Sequence, residues 1–403
     1  MNIKDKLKKL DPSSHDSFSS TEKNPDDKEI VSILDGQLKK NKSGIFFKKK
    51  QRYELQYRHG LYPLQKIKNC NKKCFNYIFN NMYSEINYQD FLFIDTETTG
   101  LAGGTGTVPF MVGLGYFSAD GFIVEQLFMR DYDEEIALLK ELKDIMAEFP
   151  VVVSFNGKSY DLPLLKTRMV MNRCGEINLK NHLDLLHASR RIWSYLNSCS
   201  LTSLEEKILD ITRNDYLPGS EVPGIYFNYL NSKEPKLLRP VFRHNLIDII
   251  SLVTLLNHLK VVYDSQSECD LNDQELFSLG KIYEKEKEIE KSIEYYRKAK
   301  IETESGYLQT KINKKLSWQY KRLDKWKQAV AIWKEMASEK KGGIFPLVEL
   351  AKYYEHQTDN YANAIYCTKK ALVYLKDRKR IITGFEQKRS KLEHRLERLR
   401  RKV

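Results

Sequence analysis

Apolar positions along this chain follow three rhythms. Residues 91–94, FLFI, form an unbroken apolar run, which predicts a strand buried on both faces. Residues 108–117 and 122–129 alternate apolar with small or polar residues around the turn SADG, which predicts two strands joined as a hairpin. A helical rhythm follows over 133–149, with acids in its first turn. A second unbroken run, VVVSFNG at 151–157, predicts another buried strand, and YDLPLLKTRMVMNRCG then starts a helix that ends at Gly175. HLDLLHASRRIW, SLTSLEEKIL and HNLIDIISLVTLLNHLKVVY all read as helices. Three strands, a helix, a strand and further helices predict an α/β fold built on a mixed sheet flanked by helices.

The flanks read differently. Residues 1–43 are rich in Ser, Lys and Asp and read as disordered apart from a short helix over 28–39. Residues 44–68 mix aromatic and basic residues with loose strand alternation. They read as packing on the domain that follows, with contact to a phosphate backbone as the alternative. Over about 272–375 the pattern repeats. Tyr283, Tyr320 and Tyr354 hold equivalent places, 37 and 34 residues apart, each three residues after a small residue, Gly280, Ser317 or Ala351. Ser292, Ala329 and Ala364 open the second helix of each copy. This all-α region resembles the tetratricopeptide (TPR) pattern, in which small residues let paired helices pack closely, and it implies a protein partner. The expected organisation is a segment 1–43, an α/β domain 44–264 with its core at 90–264, repeats at 272–375 and a basic helix at 376–403, which caps the repeats or meets nucleic acid.

Charge adds a class of partner. The chain of 403 residues is 41% hydrophobic and carries a formal net charge of +13, a balance that favours polyanions. Twelve Lys/Arg against four Asp/Glu in residues 376–403 supply eight of those charges. The six cysteines, at 70, 74, 174, 199, 269 and 367, form no CxxC pair and read as free thiols. The N-terminal residues contain no apolar signal segment, and the long uncharged run after Thr98 is too rich in glycine to span a membrane. A reduced, cytoplasmic protein with no membrane partner is the expectation.

The chemistry sits where apolar runs meet acids. Asp95 and Glu97 lie two apart at the end of the 91–94 strand and so project to one side. Two buried carboxylates repel and lose hydration unless a cation lies between them. Asp161 opens a helix, where a capping role is the ordinary expectation for a lone Asp. Asp248 lies among Leu246, Ile247, Ile249 and Ile250 on an apolar helix, and His244 is one turn earlier on the same face. Hard carboxylate oxygens suit Mg²⁺ or Mn²⁺.

In the order Asp-x-Glu, Asn-x4-Asp, His-x3-Asp, these residues resemble the DEDD superfamily of 3′–5′ exonucleases, the DnaQ-like branch of the ribonuclease-H fold. That resemblance implies four ligands, Asp95, Glu97, Asp161 and Asp248, holding two divalent cations, with His244 as the residue that takes a proton from the attacking water. One usual subtype places tyrosine four residues before the last Asp and the other places histidine five before it; here histidine holds the tyrosine spacing. Over about 44–260, DTETTGLAGGTGT, NGKSYDLPLL, HLDLLHASRRIW and HNLIDIISL resemble the YprB family of bacterial ribonuclease-H-like proteins, many with C-terminal TPR repeats.

The surroundings carry paired readings. Gly103, Gly104 and Gly106 lack a Gly-Lys-Ser/Thr and a following helix, so they read as a tight bend rather than a phosphate loop. Thr98 and Thr99 bond a terminal nucleotide or finish the strand. Asn156 holds the turn before Asp161 or contacts substrate. Asp184 starts a helix or adds a supporting acid. Arg190 and Arg191, beside Trp193, pair with phosphates of a single strand or form an internal salt bridge next to a core tryptophan. The expected function is a metal-dependent nuclease, a 3′–5′ exonuclease on single-stranded DNA or RNA ends. The alternative is a nucleic-acid-binding or TPR interaction module with little turnover.

Overall fold

The computed structural model describes residues 25–68, 87–100, 106–214, 217–264, 270–378 and 383–403, together with Ile78 and Gly104. The chain divides into two compact units. One comprises residues 1–57, 87–183 and 212–252, and the other 58–86, 184–211 and 253–403.

The first unit is a mixed sheet with helices. Its strands are β1 (Gln37–Asn41), β2 (Gly44–Tyr53), β3 (Phe91–Thr98), β4 (Pro109–Ser118), β5 (Gly121–Phe128), β6 (Val151–Ser154) and β7 (Asn181–Asp184), in the spatial order β1-β2-β5-β4-β3-β6-β7. Neighbours from β1 through β3 are antiparallel, and β6 runs parallel to β3. The buried apolar run is therefore the centre of the sheet. Phe91, Leu92, Phe93 and Ile94 are buried because strands flank them on both sides. The helices up to residue 263 are α1 (Pro25–Leu34), α2 (Glu135–Ala147), α3 (Asp161–Met171), α4 (Leu185–Trp193), α5 (Leu201–Ile208), α6 (Val222–Ser232) and α7 (Arg239–Tyr263), of which α4, α5 and the end of α7 belong to the second unit.

Two readings of the chain change. The short helix expected over 28–39 lies at Pro25–Leu34, with Ile30 and Leu34 buried in the core, and the edge strand β1 follows it where helix and then disorder were expected; residues 1–24 lie outside the described residues. The stretch HLDLL opens as strand β7, and α4 begins only at Leu185. The aromatic-basic segment packs, as expected. Lys48 is buried 2.6 Å from Glu125, and Lys50 reaches the same carboxylate at 3.1 Å, which holds Glu125 below its usual range despite burial.

Glycines on β4 decide how close α7 comes. A Cβ on Gly113 would lie 2.2 Å from Asn245 Oδ1, and one on Gly115 would lie 2.5 Å from Ile249 Cγ2. Asn245 and Ile249 are one turn apart on α7, so a single helix face settles on bare strand backbone. Asn245 is pinned there by Gln126 Nε2, which donates to its Oδ1 at 3.0 Å and to the Phe242 carbonyl at 2.8 Å. The stretch Pro235–Tyr263 is long and apolar enough to cross a membrane by length and composition, but 83% of its most apolar 18-residue window is buried within the protein, as in a core helix.

The second unit is mainly helical. Beyond α4, α5 and the end of α7 it holds α8 (Asp273–Lys285), α9 (Ile289–Glu302), α10 (Gly306–Arg322), α11 (Trp326–Ser338), α12 (Phe345–His356), α13 (Tyr361–Asp377) and α14 (Phe385–Arg400), each packed on the next. The small residues singled out in the sequence lie buried in these helices. Ser292 Oγ donates to the Gly280 carbonyl at 2.9 Å, and a Cβ on Gly280 would meet the Tyr296 ring at 2.5 Å. Ser317, Ala329, Ala351 and Ala364 are fully buried. Helix α14 caps the stack. Leu392 and Leu399 are buried, and Arg398 reaches the fully buried Glu355 carboxylate at 2.8 Å, with Arg395 beside it.

Gly113→Ala tests the close approach. The added methyl has no room beside Asn245, so the expected loss is about 1–3 kcal/mol of stability, read by chemical denaturation.

Candidate active site

Strand β3 delivers the first two acids. Asp95 pairs in register with Gly113 and Glu97 with Met111, and the pairing shifts between Glu97 and Thr98. Glu97 is 7% exposed, whereas Asp95 keeps more of its surface open. Asn245 Nδ2 donates to Asp95 Oδ2 at 3.0 Å, so the helix seated on the β4 glycines also fixes the first carboxylate. Asp161 comes from the first turn of α3 and is 6% exposed. Tyr160, not Asp161, occupies the capping position. The Asp161 carboxylate accepts the Thr96 hydroxyl instead of capping its helix. Helix α7 supplies the remaining pair. His244 Nε2 lies 3.3 Å from Asp248 Oδ2 and 3.9 Å from Glu97 Oε1. The ligand-type atoms of Glu97, His244 and Asp248 all fall within 4.8 Å of one another.

The electrostatics show the four acids facing one another. Burial, then the charges of Asp248, Glu97 and Asp161, hold the Asp95 carboxyl well above its ordinary value, and the Asn245 hydrogen bond offsets part of this. Glu97 is likewise raised by burial, then by Asp248 and Asp161, with Arg213 opposing. Glu97 Oε1 is buried and makes no hydrogen bond. An orphaned carboxylate oxygen among repelling neighbours is a donor set that fits a hard divalent cation.

Arg213, which no sequence pattern marked, closes the cluster. Its side chain is 6% exposed; one guanidinium nitrogen donates to Asp248 Oδ1, and another lies 3.3 Å from His244 Nδ1. A guanidinium only donates, so Nδ1 is the accepting nitrogen and the neutral ring carries its proton on Nε2, aimed at the carboxylates. In this arrangement His244 Nε2 donates toward Asp248 Oδ2.

The other singled-out residues sort by contact. Thr98 Oγ1 lies 2.8 Å from the Gly100 carbonyl and 2.9 Å from the Tyr160 hydroxyl, and Thr99 Oγ1 accepts from Val108 N at 2.9 Å. These contacts fix the bend after β3, where Gly104 takes φ +99° and its carbonyl accepts from Thr107 N at 3.1 Å; Gly103 lies outside the described residues. Asn156 has φ +63° and its carbonyl accepts from Ser159 N and Tyr160 N, so it shapes the turn into α3. Asp184 caps α4 through Leu186 N at 3.0 Å. Arg190 and Arg191 belong to the second unit. Arg190 is exposed. Arg191 donates to the Ile78 carbonyl at 2.6 Å and lies over the Tyr263 ring. Trp193 is a core residue, stacked on His258 and donating to Glu275 Oε1 at 2.7 Å. Cys174, Cys199 and Cys367 are free thiols, while Cys70, Cys74 and Cys269 lie outside the described residues.

Residues 92–260, which carry all five clustered residues, match the RNase_H superfamily family model. Residues 92–260 thus form a ribonuclease-H-like domain with a nuclease-like fold. Within that class the chain is YprB-like. It is 29% identical over 329 residues to the "Uncharacterized protein YprB" of Bacillus subtilis (strain 168), spanning 79% of this chain and 78% of that protein. Among solved structures, the family B DNA polymerase of the hyperthermophilic archaeon Pyrobaculum calidifontis is similar over 49% of this chain and 29% of the polymerase, with 15% identity and a TM-score of 0.34.

Two outcomes are expected of the protein freed of divalent cations. Asp95 and Glu97 titrate higher folded than unfolded, so the folded state holds more protons between the unfolded value near about 4 and the raised folded values. Stability therefore falls as pH rises through that window, and Asp95→Asn flattens the fall and raises the melting temperature at neutral pH. Arg213→Gln leaves Asp248 without its buried cationic partner and is expected to cost about 3–5 kcal/mol, read by denaturant unfolding.

Proposed function

We propose that this chain is a metal-dependent nuclease, a 3′–5′ exonuclease acting on single-stranded ends of DNA or RNA. The observation that carries the reading is the convergence of Asp95, Glu97, Asp161 and Asp248 around a buried, unpartnered Glu97 oxygen. The donors are carboxylates, which suit two Mg²⁺ or Mn²⁺ ions rather than soft metals. Bound there, such ions supply charge relief at the phosphate and a water activated at neutral pH.

The side chains have separate tasks. Asp95 and Glu97, fixed by the central strand, set the position of the site. Asp161 and Asp248 complete it from two helices. His244 accepts a proton at Nε2 only as the other neutral tautomer, with its own proton on Nδ1. The Arg213 hydrogen bond to Nδ1 opposes this, so releasing Arg213 toward a phosphate is what readies His244 as a base. Thr98, Thr99 and Asn156 serve the substrate through the turns they hold on either side of the acids. Arg190, exposed at the end of α4, is the arginine assigned to a phosphate. The paired helices of the second unit follow TPR-like spacing and are assigned recruitment, of substrate or of a partner protein. The unpaired thiols support a reduced, cytoplasmic setting.

One observation favours a binding module with little turnover: Arg213 already answers the charge of Asp248. Labelled DNA and RNA oligonucleotides with blocked 3′ or 5′ ends separate the two readings. Shortening from free 3′ ends that requires Mg²⁺ or Mn²⁺ is expected. Asp95→Ala or Asp248→Ala should slow it by about a hundredfold or more, beyond the roughly 10–100-fold typical of losing a supporting residue. Hydrolysis that survives both substitutions, or tight binding without hydrolysis under either metal, would sink the nuclease reading.

A further inference from the structure

Helix α13 carries an alternation that the proposed chemistry does not use. Tyr366, Lys370, Tyr374 and Arg378 recur every four residues, so they form one ridge, with Arg378 as the capping residue. Lys370 Nζ lies 4.6 Å from the centre of the Tyr366 ring, and Arg378 Cζ lies 4.2 Å from that of Tyr374. Tyr366 is 56% exposed and Val373, beside the ridge, is 59% exposed. The ridge borders a groove of about 690 Å³, to which α12 contributes Tyr354 and α11 contributes Lys334. Lys340 lies on the same wall, and Asp377 is the sole acid among the lining residues.

We propose that this groove binds single-stranded nucleic acid, with bases stacked on the tyrosines and phosphates paired with Lys334, Lys340, Lys370 and Arg378. Charge complementarity gives the sign of the occupant: four cations against one acid. The alternation gives its class. Aromatic and cationic side chains follow one another along the helix at about 6 Å per step, four residues of 1.5 Å rise. A chain that itself alternates flat bases with phosphates matches that order. Stacked cations hold the tyrosine faces in place, and both side-chain types engage any base, so the groove accepts DNA and RNA alike. The proposal rests on the nucleic-acid reading for the identity of the polymer, yet it concerns binding alone.

The full chain is titrated into fluorescein-labelled oligo-dT and oligo-rU in EDTA, which removes hydrolysis, and affinity is read by fluorescence anisotropy over a range of salt. Tyr366→Ala with Tyr374→Ala should weaken binding to both oligonucleotides by about tenfold or more. Lys370→Gln with Arg378→Gln should weaken it and flatten its salt dependence. Circular dichroism melts control for folding. If the tyrosine pair does not fold, the exposed single change Lys370→Glu carries the test with the same expected loss. Unchanged oligonucleotide affinity in folded variants overturns the proposal. So does a leucine-anchored, glutamate-rich peptide that binds the wild type and loses binding in the variants while oligonucleotide affinity stays constant; the groove would then belong to a protein partner. Metal-dependent hydrolysis by the same variants is a separate reading, because the groove residues belong to the second unit and Asp95, Glu97, Asp161 and Asp248 to the first.

Discussion

Like charges in a shielded place govern this structure. Burial and the neighbouring carboxylates raise the proton affinity of Asp95 and Glu97 at the end of β3. The strand beneath must be rigid, and the apolar run at 91–94 makes it so by burial on both sides. The helix above must come close, and Gly113 and Gly115 let it. The remaining charge needs an answer, which Arg213 and Asn245 give in part and which leaves Glu97 Oε1 over. The fold tolerates the strain because strand, helix and glycine groove are fixed by packing that does not involve the acids.

The acids themselves were legible. Period-two spacing put Asp95 and Glu97 on one side of a strand, and helical spacing put His244 and Asp248 on one face, which local geometry alone supports. Asp161 was legible by position but not by contact. A helix-opening Asp suggests a cap, and only the arrival of Thr96 from a strand 65 residues earlier shows its carboxylate turned elsewhere. Arg213 was invisible for the same reason. Nothing in its neighbourhood of the sequence is periodic, and its partners lie 31 and 35 residues away on another element. The two outer strands of the sheet, β1 and β7, were missed because each is short and lacks an apolar run, so pairing rather than composition makes them strands.

The second unit shows how buried polar residues read ambiguously from sequence. Trp193 beside two arginines resembles a stacking platform, yet its indole is spent on Glu275 and His258. Glu355, beside Tyr353, Tyr354 and His356, looks like surface charge, yet it is fully buried and anchors the closing helix through arginines. The small residues at the helix contacts were readable because steric need leaves a periodic trace. Charge pairing leaves none, since either partner can come from anywhere along the chain.

The glycine-bedded contact between Asn245 and Asp95 joins residues 150 positions apart. During synthesis the chain emerges from its N-terminus, so the strand bearing Asp95 and Glu97 exists long before α7 does. Until residue 248 has been made, the fourth acid is absent and nothing presses the helix against β4. A chain that stops short of residue 248 therefore holds at most three of the four acids and none of their closure. The complete cluster is thus withheld from every copy that stops short of α7, including those still tethered to the RNA that encodes them.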